Sequence, residues 1–427
     1  MKYVIIIPDG AADLPIAELD GKTPFEAART PNLDALAELG RVGCAHTTPV
    51  GFEAGSDVCS MSLLGYDPRR YHTGRAPLEA AALGLELSPV DWIFRLNFIT
   101  TGAPGTAQDG LMIDHSAGAI TDGEARELVR DLVEYWKSKA PEIARGFTLT
   151  PGVSYRNILV DSSGRSYRGL GTTPPHAVPG EPWRDHMPSG GPEDAGVISL
   201  LMELSAEFLP LHPVNIARAN AGKRIASMAW IWGQGVKPEV PSFKQRFGLT
   251  GSMITSVDLL AGIAAYIGWK RLPVAGLTSY HDTDYRAQGL ATVEAIDDFD
   301  VVCTHVEAPD EASHQGDWKT KVASLEAIDE HVVAPIIKKL LQFGDPERDS
   351  HARGWRVLVM PDHFTLCSTK KHDATPVPFL MAGAWVRSMV KRPFTEAGAA
   401  SSDLRIEHGH DLMEYFLKGG RPNVRNP

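Results

Sequence analysis

Lys2-Tyr3-Val4-Ile5-Ile6-Ile7-Pro8-Asp9-Gly10 opens the chain with a β-branched run that stops at proline and glycine. Such a run reads as a buried strand, and it places Asp9 just past the strand's C-terminal end. In an open α/β sheet that edge is where ligands bind. Two later stretches repeat the arrangement. Val301-Val302-Cys303-Thr304-His305-Val306 leads into Glu307-Ala308-Pro309-Asp310-Glu311-Ala312-Ser313-His314. Trp355-Arg356-Val357-Leu358-Val359-Met360 ends at Pro361-Asp362-His363, and His372 follows. Asp310 and His314 are four apart, so one helical turn aims both side chains the same way. Three apolar strands thus each deliver a carboxylate towards one edge, two of them with imidazoles nearby.

Taken singly, an aspartate after a strand caps the next helix or turn more often than it binds anything, and Asp-x-x-x-His is commonly a solvated helix face. Three such sites in one chain point instead to a shared centre. Carboxylate oxygens with imidazole nitrogens suit Mn²⁺, Zn²⁺ or Mg²⁺, and the lack of paired cysteines argues against a thiolate zinc site. Ser56, in Gly55-Ser56-Asp57-Val58-Cys59-Ser60-Met61, falls at or near a helix N-terminus. An ordinary N-cap serine is the commoner role there. A nucleophile in that position gains free backbone N–H groups for phosphate oxygens and the positive end of the helix dipole. A bound metal would be needed to activate its hydroxyl. No Gly-x-Ser-x-Gly elbow surrounds it, which disfavours a hydrolase triad.

The chain has 427 residues, 43% of them hydrophobic, enough to bury a large core in two or three domains. A formal net charge of −11 argues against nucleic-acid binding through an extended basic face. Cys44, Cys59, Cys303 and Cys367 show no short paired spacing, the usage of a reduced, cytoplasmic protein. The opening apolar run is too short for a signal peptide, and no stretch is long and apolar enough to span a membrane.

Strand-like and helix-like segments alternate along the chain. Helices are expected over Asn32 to Leu39, with Thr30 and Pro31 starting it and Gly40 closing it, over Thr121 to Lys139, near Val257 to Ile267, near Thr283 to Ile296, over Trp318 to Phe343 and over Asp411 to Lys418. Strands are expected at Phe94 to Thr101 and near Val274. Many prolines and glycines between Gly171 and Pro192 indicate an ordered loop or a linker. The alternation resumes at Met228-Ala229-Trp230-Ile231-Trp232. The simplest architecture is an α/β domain made from both chain ends, 1–85 and 225–427, with a smaller α+β domain inserted over 86–224.

Ile7-Pro8-Asp9-Gly10, Gly55-Ser56-Asp57, Ser62-Leu63-Leu64-Gly65-Tyr66-Asp67-Pro68, Tyr71-His72-Thr73-Gly74-Arg75-Ala76-Pro77-Leu78-Glu79-Ala80, the His305–His314 segment, Pro361-Asp362-His363 and His372-Asp373-Ala374-Thr375-Pro376 resemble, in order and over nearly the full chain, the archaeal-type cofactor-independent phosphoglycerate mutases of the alkaline phosphatase superfamily. The resemblance implies an alkaline-phosphatase-like central sheet flanked by helices, and interconversion of 3- and 2-phosphoglycerate in glycolysis and gluconeogenesis. It makes Ser56 the phosphorylated nucleophile. Asp9, Ser56, Asp362 and His363 would hold one divalent cation and Asp310, His314 and His372 a second, with Mn²⁺ the usual occupant. The inserted domain would grip a small phosphorylated hydroxy acid, and an interdomain hinge would open and close the cleft.

Arg95, Arg156, Arg218, Lys223 and Arg224 are the candidate anion-binding groups, since guanidinium forks match phosphate and carboxylate. Any one of them could equally form a surface salt bridge. The segment around Asp114, Met112-Ile113-Asp114-His115-Ser116-Ala117-Gly118, resembles a motif in related chains and makes Asp114 a candidate for handling a substrate proton. His115, His176 and His281 are weaker suggestions, and for each of the four a loop or core role is the commoner one. Two departures bear on the substrate. Related chains commonly carry Asn near Ser60 and Lys near Gln288, and some with the Trp-Gly-Gln-Gly element seen at Trp232 to Gly235 have been proposed to phosphorylate homoserine. A metal-dependent phosphotransferase or phosphatase on another small hydroxy acid is therefore the alternative. A metal-binding scaffold without catalysis is disfavoured by retention of Ser56 with all six other ligand candidates.

Overall fold

The computed structural model describes residues 1–344, 354–387 and 389–419. The chain forms two compact units, Met1–His72 with Val240–Pro427, and Thr73–Glu239. In the first, eight strands run in the order Lys270–Arg271, Gly251–Ile254, Val301–Val306, Lys2–Pro8, Trp355–Val359, Val377–Gly383, Arg41–Ala45 and Arg405–Ile406. The first five are mutually parallel, and Val377–Gly383 is antiparallel to both its neighbours. Val301–Val306 and Trp355–Val359 are buried at every residue, as expected of parallel strands covered on both faces.

Register brings the strand ends level. Pro8 pairs with Val306 and Ile6 with Val359; Asp9 N–H then donates to the Val306 carbonyl at 2.9 Å and Met360 N–H to the Ile6 carbonyl at 3.1 Å. Asp9, Glu307 and Pro361 therefore leave the sheet along one edge. Because Val377–Gly383 runs the opposite way, its start lies at that edge too. The hairpin Phe364–Leu366 with Lys371–Asp373 precedes it and brings His372 back there.

The second unit is an antiparallel sheet built around Trp92–Thr101, which pairs with Met112–Asp114, Arg156–Asp161 and Met228–Val236; Phe147–Pro151 extends it beyond Arg156–Asp161. The helices Asp122–Lys139 and Val197–Phe208 bury Leu128, Leu132, Trp136, Leu201 and Met202 in a core with Phe94, Phe98 and Trp230. Among the described residues no single helix is long and apolar enough to cross a membrane.

Several expectations change. The unit spans 73–239 rather than 86–224, because Met228–Val236 pairs with Trp92–Thr101 and the helix Arg75–Ala82 packs on the same strands. No strand forms at Val274; the edge strand is only Lys270–Arg271, and Pro273 has no N–H to continue it. The long helix from Trp318 is interrupted by a π-turn at Asp329–Val333. The Asp329 carboxylate there accepts from the Asn32 and Leu33 N–H groups at 3.2 and 2.8 Å. It thereby caps the helix Pro31–Leu39, whose own Thr30 makes no side-chain cap.

Beneath the sheet edge lies a buried ion pair. Lys321, wholly buried, donates from Nζ to Asp13 Oδ2 at 2.9 Å and to the Thr365 and Ala12 carbonyls at 2.7 and 3.3 Å. Glu396 accepts from Asp13 N–H at 3.1 Å and from the Thr23 hydroxyl at 2.6 Å. Burial pushes the Glu396 carboxyl up to about 7 from 4.5. Between those values the folded chain keeps a proton that the unfolded chain has released, so this group's contribution to stability falls as pH rises through that window. Glu396→Gln is expected to flatten that loss, on the order of 2 kcal/mol, in urea midpoints compared at about pH 5 and pH 7.5.

A candidate metal centre at the sheet edge

Asp9, Asp362 and His363 are wholly buried and Asp310 nearly so. The edge geometry that collects them requires Gly10: its φ is +56°, and a Cβ there would collide with the Asp310 carboxylate and the Thr365 hydroxyl. Gly10 N–H donates to Asp362 Oδ1 at 3.2 Å, and His363 N–H to the same oxygen at 3.0 Å. Asp310 and His314 sit on the helix Ala308–Gln315 with His314 Nε2 3.1 Å from Asp310 Oδ2.

The imidazoles are oriented by their outer nitrogens. His314 Nδ1 is 3.0 Å from the Lys370 carbonyl and His372 Nδ1 is 3.0 Å from the Ala54 carbonyl. A carbonyl can only accept, so each ring donates from Nδ1 and turns Nε2 inward. The two Nε2 atoms face each other at 2.9 Å. His363 behaves likewise: Thr365 Oγ1 donates to Asp310 Oδ1 at 2.6 Å, and His363 Nδ1 lies 3.1 Å from that hydroxyl. Its Nε2 then faces Ser56 Oγ at 3.3 Å and Asp9 Oδ1 and Asp362 Oδ2 at 3.5 Å each.

Charge in this space is strained. Burial, then the neighbouring Asp9 carboxylate, pushes Asp362 up to about 7. Burial with Asp9 and Asp310 raises Glu307 well above the usual carboxylate range. The hydrogen bond to Asp310 raises His314 to about 9, whereas burial holds His363 below its ordinary value. Asp9 Oδ1 and Glu307 Oε2 are buried without a hydrogen-bond partner. Inward-facing ring nitrogens, crowded carboxylates and orphaned oxygens form a donor set suited to divalent cations, which would displace the ring protons on binding. Asp9, Asp362 and His363 offer one group of donor atoms within 4.8 Å of one another, and Asp310, His363 and His372 another.

Ser56 is the first residue of the helix Ser56–Leu63, and Gly55 is its cap. The serine hydroxyl therefore faces His363 instead of serving as the N-cap. Ser60 donates to Asp362 Oδ2 at 3.3 Å. Gln288, buried, donates to Thr304 Oγ1 at 3.0 Å and to the His305 carbonyl at 2.7 Å, so both departures serve internal hydrogen bonding.

Sequence reading passed over His305 and Glu307. His305 Nε2 lies 2.6 Å from Asp9 Oδ2 and 3.6 Å from Glu307 Oε2, with Nδ1 3.1 Å from Thr255 Oγ1. The available signal was a histidine inside an otherwise apolar strand.

In the second unit the anion-binding candidates separate into two groups. Arg95 stacks over Trp232 at 4.1 Å and donates to Glu79 at 3.0 Å. Arg156 stacks over Tyr155 at 5.0 Å. Burial lowers the Arg95 pKa, partly opposed by Glu79, and Arg75 and Arg156 lower it further. Burial, then Arg95, His115 and Arg75, lower that of His176. These residues make one basic patch with aromatic walls, and Arg75 was not among the candidates. Arg218, by contrast, is 3% exposed and commits its donors to Glu124 and the Arg224 and Ala117 carbonyls. It is a structural residue rather than an anion ligand. Asp114 accepts from Ser116, Gly118 and Arg224. Although burial opposes it, these bonds hold its carboxyl down at about 2, unsuited to taking a proton near neutrality. Arg224 is correspondingly engaged, Lys223 is exposed beside this network, and His281 is exposed in the first unit. Gln234 of the Trp232–Gly235 element binds Thr172 Oγ1 at 2.7 Å, a structural tie to a neighbouring loop.

Residues 37–215 match the family model for 2,3-bisphosphoglycerate-independent phosphoglycerate mutase. The enzyme of that name from Methanothrix thermoacetophila is 41% identical over 419 residues, covering 98% of this chain and 100% of the relative. A Pyrococcus horikoshii protein of solved structure aligns at TM-score 0.77 with 28% identity, covering 98% of this chain and 96% of the other. The cofactor-independent phosphoglycerate mutase of Thermoplasma acidophilum aligns at TM-score 0.65 with 26% identity, covering 99% and 100%. With a full-length relative at that identity and the same α/β fold in solved structures, the chain belongs to the 2,3-bisphosphoglycerate-independent phosphoglycerate mutases.

Proposed function

We infer that this chain interconverts 3-phosphoglycerate and 2-phosphoglycerate in the cytoplasm, in glycolysis and gluconeogenesis, through a phosphoserine at Ser56. The observation that carries the reading is the Ser56 hydroxyl at a helix N-terminus, 3.3 Å from His363 Nε2. We assign Asp9, Ser56, Asp362 and His363 to one divalent cation and Asp310, His314 and His372 to a second, with Mn²⁺ as the metal. Bound there, the cations would favour ionisation of the serine hydroxyl and offset the charge on the transferring group. Ser56 Oγ forms its bond to phosphorus as the bond from phosphorus to the 3-oxygen of glycerate breaks, and the departing oxygen takes up a proton. The 2-hydroxyl then loses a proton and takes the phosphoryl group from Ser56 by the reverse displacement. The N-terminus of Ser56–Leu63, the positive end of the helix dipole, suits phosphate oxygens in both steps. Arg75, Arg95 and Arg156, with His115 and His176, are assigned to the substrate's anionic groups. Four buried free thiols accord with the cytoplasmic reading.

The test is incubation of the full chain with Mn²⁺ and 3-phosphoglycerate. Expected is 2-phosphoglycerate without added bisphosphoglycerate. Free phosphate alone would point to a phosphatase, and absence of both product and phosphoserine would sink the mutase assignment.

A further inference from the structure

Thr365 belongs to neither assigned ligand set, yet its side chain touches both. It is wholly buried, and its hydroxyl is 2.6 Å from Asp310 Oδ1 and 3.1 Å from His363 Nδ1. An ionised carboxylate can only accept, so the single hydroxyl hydrogen goes to Asp310, and Oγ1 is left to accept from His363 Nδ1–H. Only one imidazole tautomer satisfies that chain, the one with a bare Nε2 turned towards Ser56. Across the hairpin Thr365 also pairs in register with His372. Its backbone is held at both ends: N–H donates to the Ala12 carbonyl at 3.2 Å, and its carbonyl accepts from Lys321 Nζ at 2.7 Å.

We propose that Thr365 is a positioning residue that couples the two cation sets, one hydroxyl fixing the His363 tautomer and the Asp310 carboxylate together. Filling one set orders a ligand of the other. The inference rests on the two-cation reading above and adds a link between the sets. Groups that orient metal ligands typically change metal affinity by about 10–100-fold when removed. Thr365→Val keeps the shape and removes both hydrogen bonds, whereas Thr365→Ser keeps the hydroxyl.

The experiment is calorimetric titration of Mn²⁺ into metal-stripped full-length wild type, Thr365→Val and Thr365→Ser, with ¹⁵N imidazole spectra of each stripped protein. Expected for Thr365→Val is weakening of one or both binding events by about 10–100-fold, with loss of the Nδ1–H signature of His363. Thr365→Ser should restore both readouts, which a packing role for the threonine methyl would not do. If Thr365→Val does not fold, Thr365→Ala carries the same comparison. Wild-type affinities, or an unchanged tautomer, in the hydroxyl-free variant would overturn the coupling while leaving the cation reading standing. A wild type that takes up no Mn²⁺ would overturn the cation reading itself.

Discussion

Ser56→Ala is expected to abolish mutase turnover, by on the order of 10⁵-fold or more, the scale on which losing a covalent nucleophile is felt. Stability should barely change. Ser56 is only half-buried and makes no helix cap; alanine gives up the 3.3 Å contact to His363 Nε2, which the Asp9 and Asp362 carboxylates still flank, and suits a first-turn position. The thermal midpoint should stay within a few degrees of wild type. Cation binding should persist, because Asp9, Asp362 and His363 remain around the vacated hydroxyl position. Labelling with ³²P-3-phosphoglycerate and acid quench should mark wild type covalently and leave the variant unmarked. A variant that still makes 2-phosphoglycerate would show that the phosphoryl group does not pass through Ser56.

How far the sequence disclosed this centre depended on whether the placing signal was local. Asp9 and Asp362 follow β-branched runs, and Asp310 and His314 are one helical turn apart, so each could be read from a few neighbouring residues. The position of His372 depends on Val377–Gly383 running antiparallel, which no spacing reveals. His305 was lost inside an apolar strand where a histidine looks like core. Lys321 lies on the helix Trp318–Ile328, and lysines are ordinarily exposed, yet it is wholly buried against Asp13. The strand Met228–Val236 was put in the wrong unit because its partner, Trp92–Thr101, is more than a hundred residues away in sequence. Arg218 was taken for a ligand because a positive charge announces attraction to anions without saying which anion is close; Glu124 and two carbonyls already satisfy it.

Stripping divalent cations with a chelator is expected to lower activity by at least about a thousandfold, and Mn²⁺ in excess should restore it. The stripped chain should also melt earlier. A site filled at a hundred times its dissociation constant contributes about 2.7 kcal/mol, and emptying it leaves crowded carboxylates at the sheet edge. The pH dependence has a definite sign. In the stripped protein the hydrogen bond to Asp310 raises His314 to about 9, so near neutrality its ring carries a proton that a cation must displace. Asp362, raised to about 7 chiefly by burial, adds a second competing proton below that pH. Apparent affinity should therefore tighten as pH rises towards about 9, by up to about tenfold per unit where one proton is displaced, and more steeply below about 7. Chelator-competition titrations at about pH 6.5, 7.5 and 8.5 read this directly. A flat profile would mean that neither His314 nor Asp362 gives up a proton on loading, and the assignment of both as ligands would fail.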